Sequence, residues 1–365
     1  MTAPFSPESR SDRRALNLAV VGASDWAATY HLPALKLLEG LSDTKRAPGA
    51  SPRGEPPTAV KAPAGGVAPP VSGGVPPIRV CGIWNRTALR AESAARRFDI
   101  LRVYRSLQEL LEDEQVDCFV VLVNPKVLPE IVAELLPRRL PLFTEKSPGW
   151  SCHQARVLAE AVTVTNVVGF NRRYMPLNRR FKSIVDDLAA PYFVECHFYR
   201  HERLCSEFII ETGVHGINFL EYLCGPIAEV RTDRRRNPRN GTYVWECRLD
   251  FASGLRAFAK FLPCCGSSIE RFEVHGNESS VYLHSPQTYS SDYPGRILVH
   301  QGGREAQTIE GSSEAGVLVN SGFIDEYLDF FEGIASGRAT LSNFQNAWST
   351  MAVAEAIERG TDYRR

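Results

Sequence analysis

Leu16-Asn-Leu-Ala-Val-Val-Gly-Ala-Ser-Asp-Trp-Ala27 is an apolar run that stops at a glycine and turns into a helical pattern. Unbroken apolar character without polar alternation is what a parallel strand shows when helices cover both faces of its sheet. The glycine marks the turn. Beyond it, Trp26-Ala-Ala-Thr-Tyr-His-Leu-Pro-Ala-Leu-Lys-Leu-Leu38 carries apolar residues at helical spacing, so the turn presents the free N–H groups of a helix start, a ready anion site. Against the dinucleotide fingerprint Gly-x-Gly-x-x-Gly/Ala, the three positions read Gly22, Ser24 and Ala27. Two of the three fit. At the middle position a side chain replaces the glycine that lets backbone approach a pyrophosphate. An ordinary strand-to-helix turn would read much the same.

Outward from this turn, strands and helices alternate. The second strand is Ile78 to Trp84, followed by a helix at Ala88 to Phe98, a short strand near Val103 and a helix at Ser106 to Glu112. Then come the apolar strand Cys118 to Val123, a helix at Val127 to Leu136 and a strand at Leu142 to Thr144. Such alternation means a doubly wound parallel sheet, the α/β Rossmann type, whose ligands bind beyond the carboxyl ends of the strands. The residues expected there are Gly22, Ser24, Asp25 and Trp26, then Asn85-Arg86-Thr87, Asn124-Pro125 and Glu145-Lys146. Residues 1–14 read as a disordered tail. The stretch 47–77, with 9 Pro and 6 Gly, reads as a flexible insertion that interrupts an otherwise normal βαβ unit. The first domain is therefore expected over 15–148.

From about 149 to 365 the pattern becomes that of an α+β domain. Strands Tyr192 to Tyr199, Tyr243 to Phe251, Leu255 to Phe261, Ile269 to His275 and Ser280 to His284 are joined mostly by short turns that favour antiparallel pairing, an open sheet in all. A helix at Gly213 to Leu223 and two closing helices, Phe323 to Ser336 and Asn343 to Arg359, complete the set. The last carries a Met351, Ala354, Ile357 stripe suited to packing on a domain surface.

Lys plus Arg equals Asp plus Glu at 42 each, so no global field recruits nucleic acid or an anionic membrane. The basic cluster Arg231 to Arg239 reads as a solvated loop, with a contact for a phosphate-bearing substrate or partner as the alternative. Nine scattered cysteines without a C-x-x-C pair, and an amino terminus without an apolar leader, point to a reducing cytoplasm. No run is long enough for a transmembrane helix. No metal is expected: His197 and His201 are four apart, but on a strand and the loop after it.

Asn85-Arg86-Thr87 stands where an NAD enzyme presents a carboxylate to the ribose 2'-hydroxyl. An amide, a guanidinium and a hydroxyl suit a 2'-phosphate, so NADP is favoured, with NAD as the alternative. Lys146, at a strand end over the crevice, suits proton transfer if burial lowers its pKa, although a Glu-Lys pair there is more often plain surface. Glu211, His215, Asn218 and Tyr222, spaced by four, three and four, put a carboxylate, an imidazole, an amide and a phenol on one helix face. That face lines a site or meets solvent. Neither G-x-S-x-G nor Walker A occurs.

Taken in order, Val20-Val-Gly-Ala-Ser24, Val116-Asp-Cys-Phe-Val-Val121 with Asn124-Pro125, Thr144-Glu-Lys-Ser-Pro148, Gly169-Phe-Asn-Arg-Arg-Tyr-Met-Pro176, Glu211-Thr-Gly-Val-His215 and Phe330-Phe-Glu-Gly-Ile-Ala-Ser-Gly337 resemble the glucose-fructose oxidoreductase / inositol dehydrogenase (Gfo/Idh/MocA) family. The resemblance implies a Rossmann domain followed by a largely antiparallel sheet, and hydride exchange between a nicotinamide and a sugar, cyclitol or related small molecule. By analogy Lys146 is the acid/base, His215 a second proton-handling group with Glu211 beside it, and Asn171 and Arg173 join the cofactor-binding set. The sequence departs from the family at Ser24, at Ser147 for a proline that follows a cis bond, at Glu211 and Asn218 for aspartates, and at Pro129 for a histidine. Two other readings suit the same fold: a cofactor or sugar sensor without turnover, and a homo-oligomer that uses the open sheet as its dimer face.

Overall fold

The computed structural model describes residues 14–44 and 75–365. The expected tail, apart from Arg14, and the Pro/Gly-rich insertion up to residue 74 lie outside the described residues.

The amino-terminal layer is β1 (Leu16–Val21), α1 (Leu32–Thr44), β2 (Ile78–Trp84), α2 (Ala88–Arg97), β3 (Arg102–Val103), α3 (Leu107–Leu111), β4 (Cys118–Val121), α4 (Leu128–Leu135), β5 (Leu142–Glu145), α5 (Cys152–Ala161) and β6 (Asn166–Gly169). The six strands are all parallel in the order β3-β2-β1-β4-β5-β6, the doubly wound arrangement with its switch point beside β1. Because β1 and β4 are central, their residues Leu18 to Val21 and Cys118 to Val121 are wholly buried, which explains their unbroken apolar sequence. Strand β6 lies beyond the 15–148 expected for the first domain, yet it pairs with β5 and extends the parallel sheet to Gly169.

The second half contributes α6 (Pro176–Asp186), β7 (Phe193–Tyr199), α7 (Val214–Cys224), β8 (Ile227–Arg236), β9 (Tyr243–Phe251), β10 (Arg256–Leu262), β11 (Ile269–His275), β12 (Ser279–His284), β13 (Arg296–Gln301), β14 (Arg304–Glu310), α8 (Gly316–Asn320), α9 (Phe323–Ser336), α10 (Phe344–Arg359) and β15 (Tyr363–Arg364). Its nine strands run β14-β13-β12-β11-β7-β10-β9-β8-β15, antiparallel except for β7 with β10. The arginines expected in a loop form the outer part of β8, ladder-bonded to β9, with the turn delayed to 237–241. Strands β7, β9 and β11 alternate buried and half-buried residues, so one face of this sheet carries the core and the other looks outward.

The two halves interlock. Helix α9 leaves the second half and lays Phe323, Ile324, Tyr327, Phe330 and Phe331 into the core formed by β1, β2 and α1. Helix α10, held at its start by a capping box on Asn343 and Asn346, buries Phe344, Ala347, Met351, Ala354 and Ile357 in the core it shares with α5 and α7. Each large apolar side chain so buried contributes about 1.5–3 kcal/mol. Among the described residues no helix is long and apolar enough to cross a membrane.

Candidate active site

Gly22 holds a φ of +111°, and a Cβ there would meet the Leu122 carbonyl oxygen at 2.5 Å, so only glycine serves at this turn. The Gly22 N–H donates to the Trp84 carbonyl and the Ala23 N–H to Asn85 Oδ1, tying the turn to the end of β2. Ser24 takes a different role from a fingerprint glycine: its Oγ accepts the Ala27 N–H at 3.1 Å, as a helix cap does. The helix opens with a π turn, Ala27–His31, that runs into α1. At its head the amides of Ser24, Asp25 and Trp26 are the orphan donors that any helix start presents, and the side chains of Asp25 and Trp26 are exposed. A glycine-dependent turn with donors over the carboxyl edge of a parallel sheet fits a dinucleotide phosphate.

At the end of β2, Asn85 is committed to bracing, because its amide also donates to the Thr87 carbonyl at 3.0 Å. Arg86 and Thr87 are exposed, and among the described residues Arg86 makes no ion pair. After β4, Asn124 Oδ1 accepts the Lys126 N–H at 2.9 Å and the Asn124 carbonyl receives the first amides of α4, with Pro125 between them.

Glu145 closes β5 in a bracket that no local sequence pattern announces. Its Oε1 accepts from His31 Nε2 at 2.6 Å and from Trp26 Nε1 at 3.1 Å, and its Oε2 from the Lys146 N–H at 3.1 Å. The other ring nitrogen of His31 meets the Tyr327 hydroxyl at 2.8 Å, joining the first helix, β5 and α9 in one chain of bonds. Burial works against the Glu145 charge, but His31 and Lys146 hold its pKa below the usual carboxylate range. One residue from Tyr327, the buried Glu326 carboxylate has no hydrogen-bond partner among the described residues. Burial, with Glu145 and Asp329 nearby, drives its pKa well up.

Lys146 follows Glu145, and the Lys146–Ser147 peptide is cis although no proline is present. Its Nζ donates to the Glu211 backbone carbonyl at 2.6 Å, while the buried Ser147 hydroxyl donates to the Ile210 carbonyl at 3.2 Å. Both acceptors lie in a π turn, Ile209–Gly213, which precedes α7 and offers carbonyls that a regular helix would hold in its own ladder. The helix expected from Gly213 therefore starts earlier. It is the Glu211 carbonyl that meets the amine; the Glu211 carboxylate faces Arg203 at 3.7 Å. Desolvation lowers the Lys146 pKa to about 8, with Glu145 opposing and Arg172 assisting.

One turn on, His215 is buried edge-on to Phe170 with its Nδ1 unpartnered among the described residues. Desolvation, then the charges of Arg172, Lys146 and Arg200, press its pKa well below the usual value, so the imidazole is neutral. The rest of the polar stripe leads inward rather than to solvent. Asn218 accepts from Arg173 Nε at 2.7 Å and donates to Thr350 at 3.0 Å, and Tyr222 lies beneath the cations of Arg173 and Lys182.

The Asn-Arg-Arg segment divides its labour differently from the expectation. Arg173 is buried with its guanidinium committed to Asn218 and to the Leu341 carbonyl at 3.0 Å, leaving it no freedom for a phosphate. Asn171 donates to the Ser321 carbonyl at 2.9 Å and accepts from Arg172 at 2.9 Å. Arg172, absent from the expected set, is the residue whose charge bears on Lys146 and His215. It binds Glu270 through Nε at 3.1 Å and Nη2 at 2.7 Å, and Arg200 takes the same carboxylate from the other side. Two buried guanidiniums on one carboxylate leave this wall net positive. No spacing in the sequence signals a cluster whose members come from residues 172, 200 and 270.

The fold and the site together define a two-domain dinucleotide-binding protein in which a lysine of lowered pKa is tied to the turn that leads to a neutral histidine. Residues 16–171 match the oxidoreductase family with an NAD-binding Rossmann fold, and residues 201–360 match the C-terminal α/β domain of that family. The chain belongs to the GFO/IDH/MocA oxidoreductase family. It is 25% identical over 140 residues to the rhizopine catabolism protein MocA of Rhizobium meliloti, a match covering 34% of this chain and 43% of that protein. It is 23% identical over 163 residues to the uncharacterized oxidoreductase YrbE of Bacillus subtilis, covering 41% and 48%. The chain thus spans about half the length of the curated relatives it matches. Among solved structures, levoglucosan dehydrogenase in complex with NADH and L-sorbose shares the fold, with a TM-score of 0.75 at 16% identity over 96% of this chain and 99% of that one.

Proposed function

We propose that the protein transfers hydride between a nicotinamide nucleotide and a sugar, cyclitol or related polyol or keto compound, with NADP preferred over NAD. The observation that carries this reading is the Lys146 amine, lowered to about 8 and held at the Glu211 carbonyl, one turn before His215, whose Nδ1 is unpartnered among the described residues. A group poised near working pH is what proton transfer to or from a carbinol oxygen requires. When bound, the nicotinamide gives or takes the hydride. During reduction the Lys146 ammonium protonates the developing alkoxide; during oxidation the neutral amine takes the hydroxyl proton. His215 Nδ1 orients the same oxygen or its neighbour.

Gly22, Ser24, Asp25 and Trp26 would hold the pyrophosphate, Arg86 and Thr87 the 2'-phosphate, and Asn124, Pro125 and Glu145 the nicotinamide half. The NADP preference rests on the absence of a carboxylate at Asn85-Arg86-Thr87 and on Arg86, which makes no ion pair among the described residues. A sugar substrate accords with the levoglucosan dehydrogenase complex, in which NADH is paired with L-sorbose. On the same footing we read the outward face of the nine-stranded sheet as the surface of a homo-oligomer, and the nine free cysteines as the mark of a cytoplasmic protein. Fluorescence titration with NADPH and NADH, followed by a polyol and ketone panel, tests the reading. Tighter NADPH binding and turnover of at least one polyol or keto-sugar are expected, and failure of both nucleotides to bind overturns it.

A further inference from the structure

On the outward face of the nine-stranded sheet, far from the turn that carries Lys146, strands β7 and β11 repeat one short pattern. Each carries Glu-x-His: Glu195 and His197 on β7, Glu273 and His275 on β11. The strands are antiparallel, and their register sets Glu195 directly opposite Glu273, with His275 opposite Phe193 and His197 opposite Arg271. Val194, Cys196 and Phe198, and likewise Phe272 and Val274, point the other way into the core. All four Glu and His side chains therefore gather on one half-buried patch.

Like charges directly opposed across a strand pair destabilise a sheet. Among the described residues no lysine or arginine ion-pairs with either carboxylate. Arg271, on the same face, is turned onto Asp292 with bonds of 2.8 and 2.7 Å, and Lys260, beside His197 on β10, reaches neither glutamate. The carboxylates face imidazoles instead. His197 Nε2 lies 3.5 Å from Glu195 Oε2 and its Nδ1 3.9 Å from Glu273 Oε1, while His275 Nε2 lies 3.7 Å from Glu273 Oε2. One ligand atom each from Glu195, His197 and Glu273 fall within 4.8 Å of one another. A single ion takes one of the two His197 ring nitrogens, and a tetrahedral ion with bonds of about 2.0–2.2 Å holds its ligand atoms about 3.3–3.6 Å apart, so side-chain rotations that close up to about 1 Å complete the set. His275 is already oriented as a metal-binding histidine is: its Nδ1 is tied to the Ser280 hydroxyl at 2.9 Å, which turns Nε2 toward Glu273.

We propose that Glu195, His197 and Glu273 bind a divalent transition metal, with zinc the best match, and that His275 completes or supports the site. Imidazole with carboxylate suits zinc, cobalt or nickel rather than magnesium or calcium. His197 finds its partners across the strand pair, not four residues along the chain. The core face of the same strands packs beneath α7, where Phe272 meets Phe219 edge-on at 4.7 Å, so the sheet separates the ion from the crevice. The ion neutralises two opposed carboxylates and fastens β7 to β11, which makes it a structural site independent of the proposed hydride chemistry.

The test uses the full chain in its native oligomeric state, stripped with EDTA and dialysed. Zinc is titrated by calorimetry and cobalt by absorption, because nine cysteines offer a rival site that cobalt reveals through thiolate charge-transfer bands. One ion per chain is expected, with nitrogen and oxygen ligands only, a raised melting temperature and unchanged turnover. His197→Ala and Glu273→Gln should each weaken binding at least about tenfold, and His275→Ala less. In EDTA, Glu273→Gln should be at least as stable as the parent, since it removes the carboxylate opposition, and it should gain nothing from zinc. Absence of binding at micromolar metal, a thiolate spectrum, or undiminished affinity in His197→Ala overturns the proposal.

Discussion

The Lys146 Nζ donates to the backbone carbonyl of Glu211 at 2.6 Å across a separation of 65 residues, and with the Ser147 hydroxyl on the Ile210 carbonyl it fastens the end of β5 to the turn leading into α7. The carbonyl is available because the chain before α7 is wound as a π turn. It holds the amine without supplying a full counter-charge, which lets desolvation lower the pKa to about 8.

A pH profile follows with its sign fixed. Oxidation needs the neutral amine, so its rate should rise through about pH 8 and level off above; reduction needs the ammonium and should fall over the same interval. His215, neutral because burial and three cations depress it, adds no second inflection between pH 6.5 and 8. Steady-state rates in both directions across this range check the pair of curves, and parallel curves would rule out Lys146 as the proton carrier.

Glu145 raises the Lys146 pKa, against desolvation and the Arg172 charge. Glu145→Gln keeps an acceptor for His31 and Trp26 but removes that charge, so the inflection should move to lower pH, by about one unit or more. A merely structural role for Glu145 would lower stability and leave the inflection in place.

Arg86 is exposed at the end of β2 and makes no ion pair among the described residues. Replacing it by Ser should weaken NADPH binding by about 10- to 100-fold, the worth of a charge-assisted hydrogen bond, and leave NADH binding unchanged. Equal titrations with both nucleotides would remove Arg86 from the 2'-phosphate.

Glu270 is fully buried between Arg172 and Arg200. Glu270→Ala would strand two buried guanidiniums and should lower unfolding stability by about 3–5 kcal/mol in denaturant titration. Loss of less than about 1 kcal/mol would mean that water or other groups compensate the pair.

How far the sequence could be read differs by element. The parallel sheet was legible because β1 and β4 are buried on both faces and their residues say so one by one. Lys146 and His215 stood out in the sequence as polar residues at a strand end and on a helix face, and the structure keeps them at the end of β5 and the start of α7. The bracket around Glu145 was not, since His31 and Tyr327 are 296 residues apart and each reads locally as a helix residue. Neighbouring Arg172 and Arg173 differ by one position yet take different partners, Glu270 for the one and Asn218 for the other, a distinction that turns on the short 3-10 turn at Asn171–Arg173 rather than on residue type. The arginines of β8 read as a loop because charge run and solvent-facing edge look alike until the ladder with β9 is seen.

The most direct measurement is turnover of Lys146→Met alongside its NADPH affinity, taken on the same preparation with the best substrate from the panel. The account predicts that turnover falls by at least about 100-fold, as loss of a general acid/base does, while nucleotide affinity stays within about twofold of the parent. Turnover that survives the substitution would contradict it.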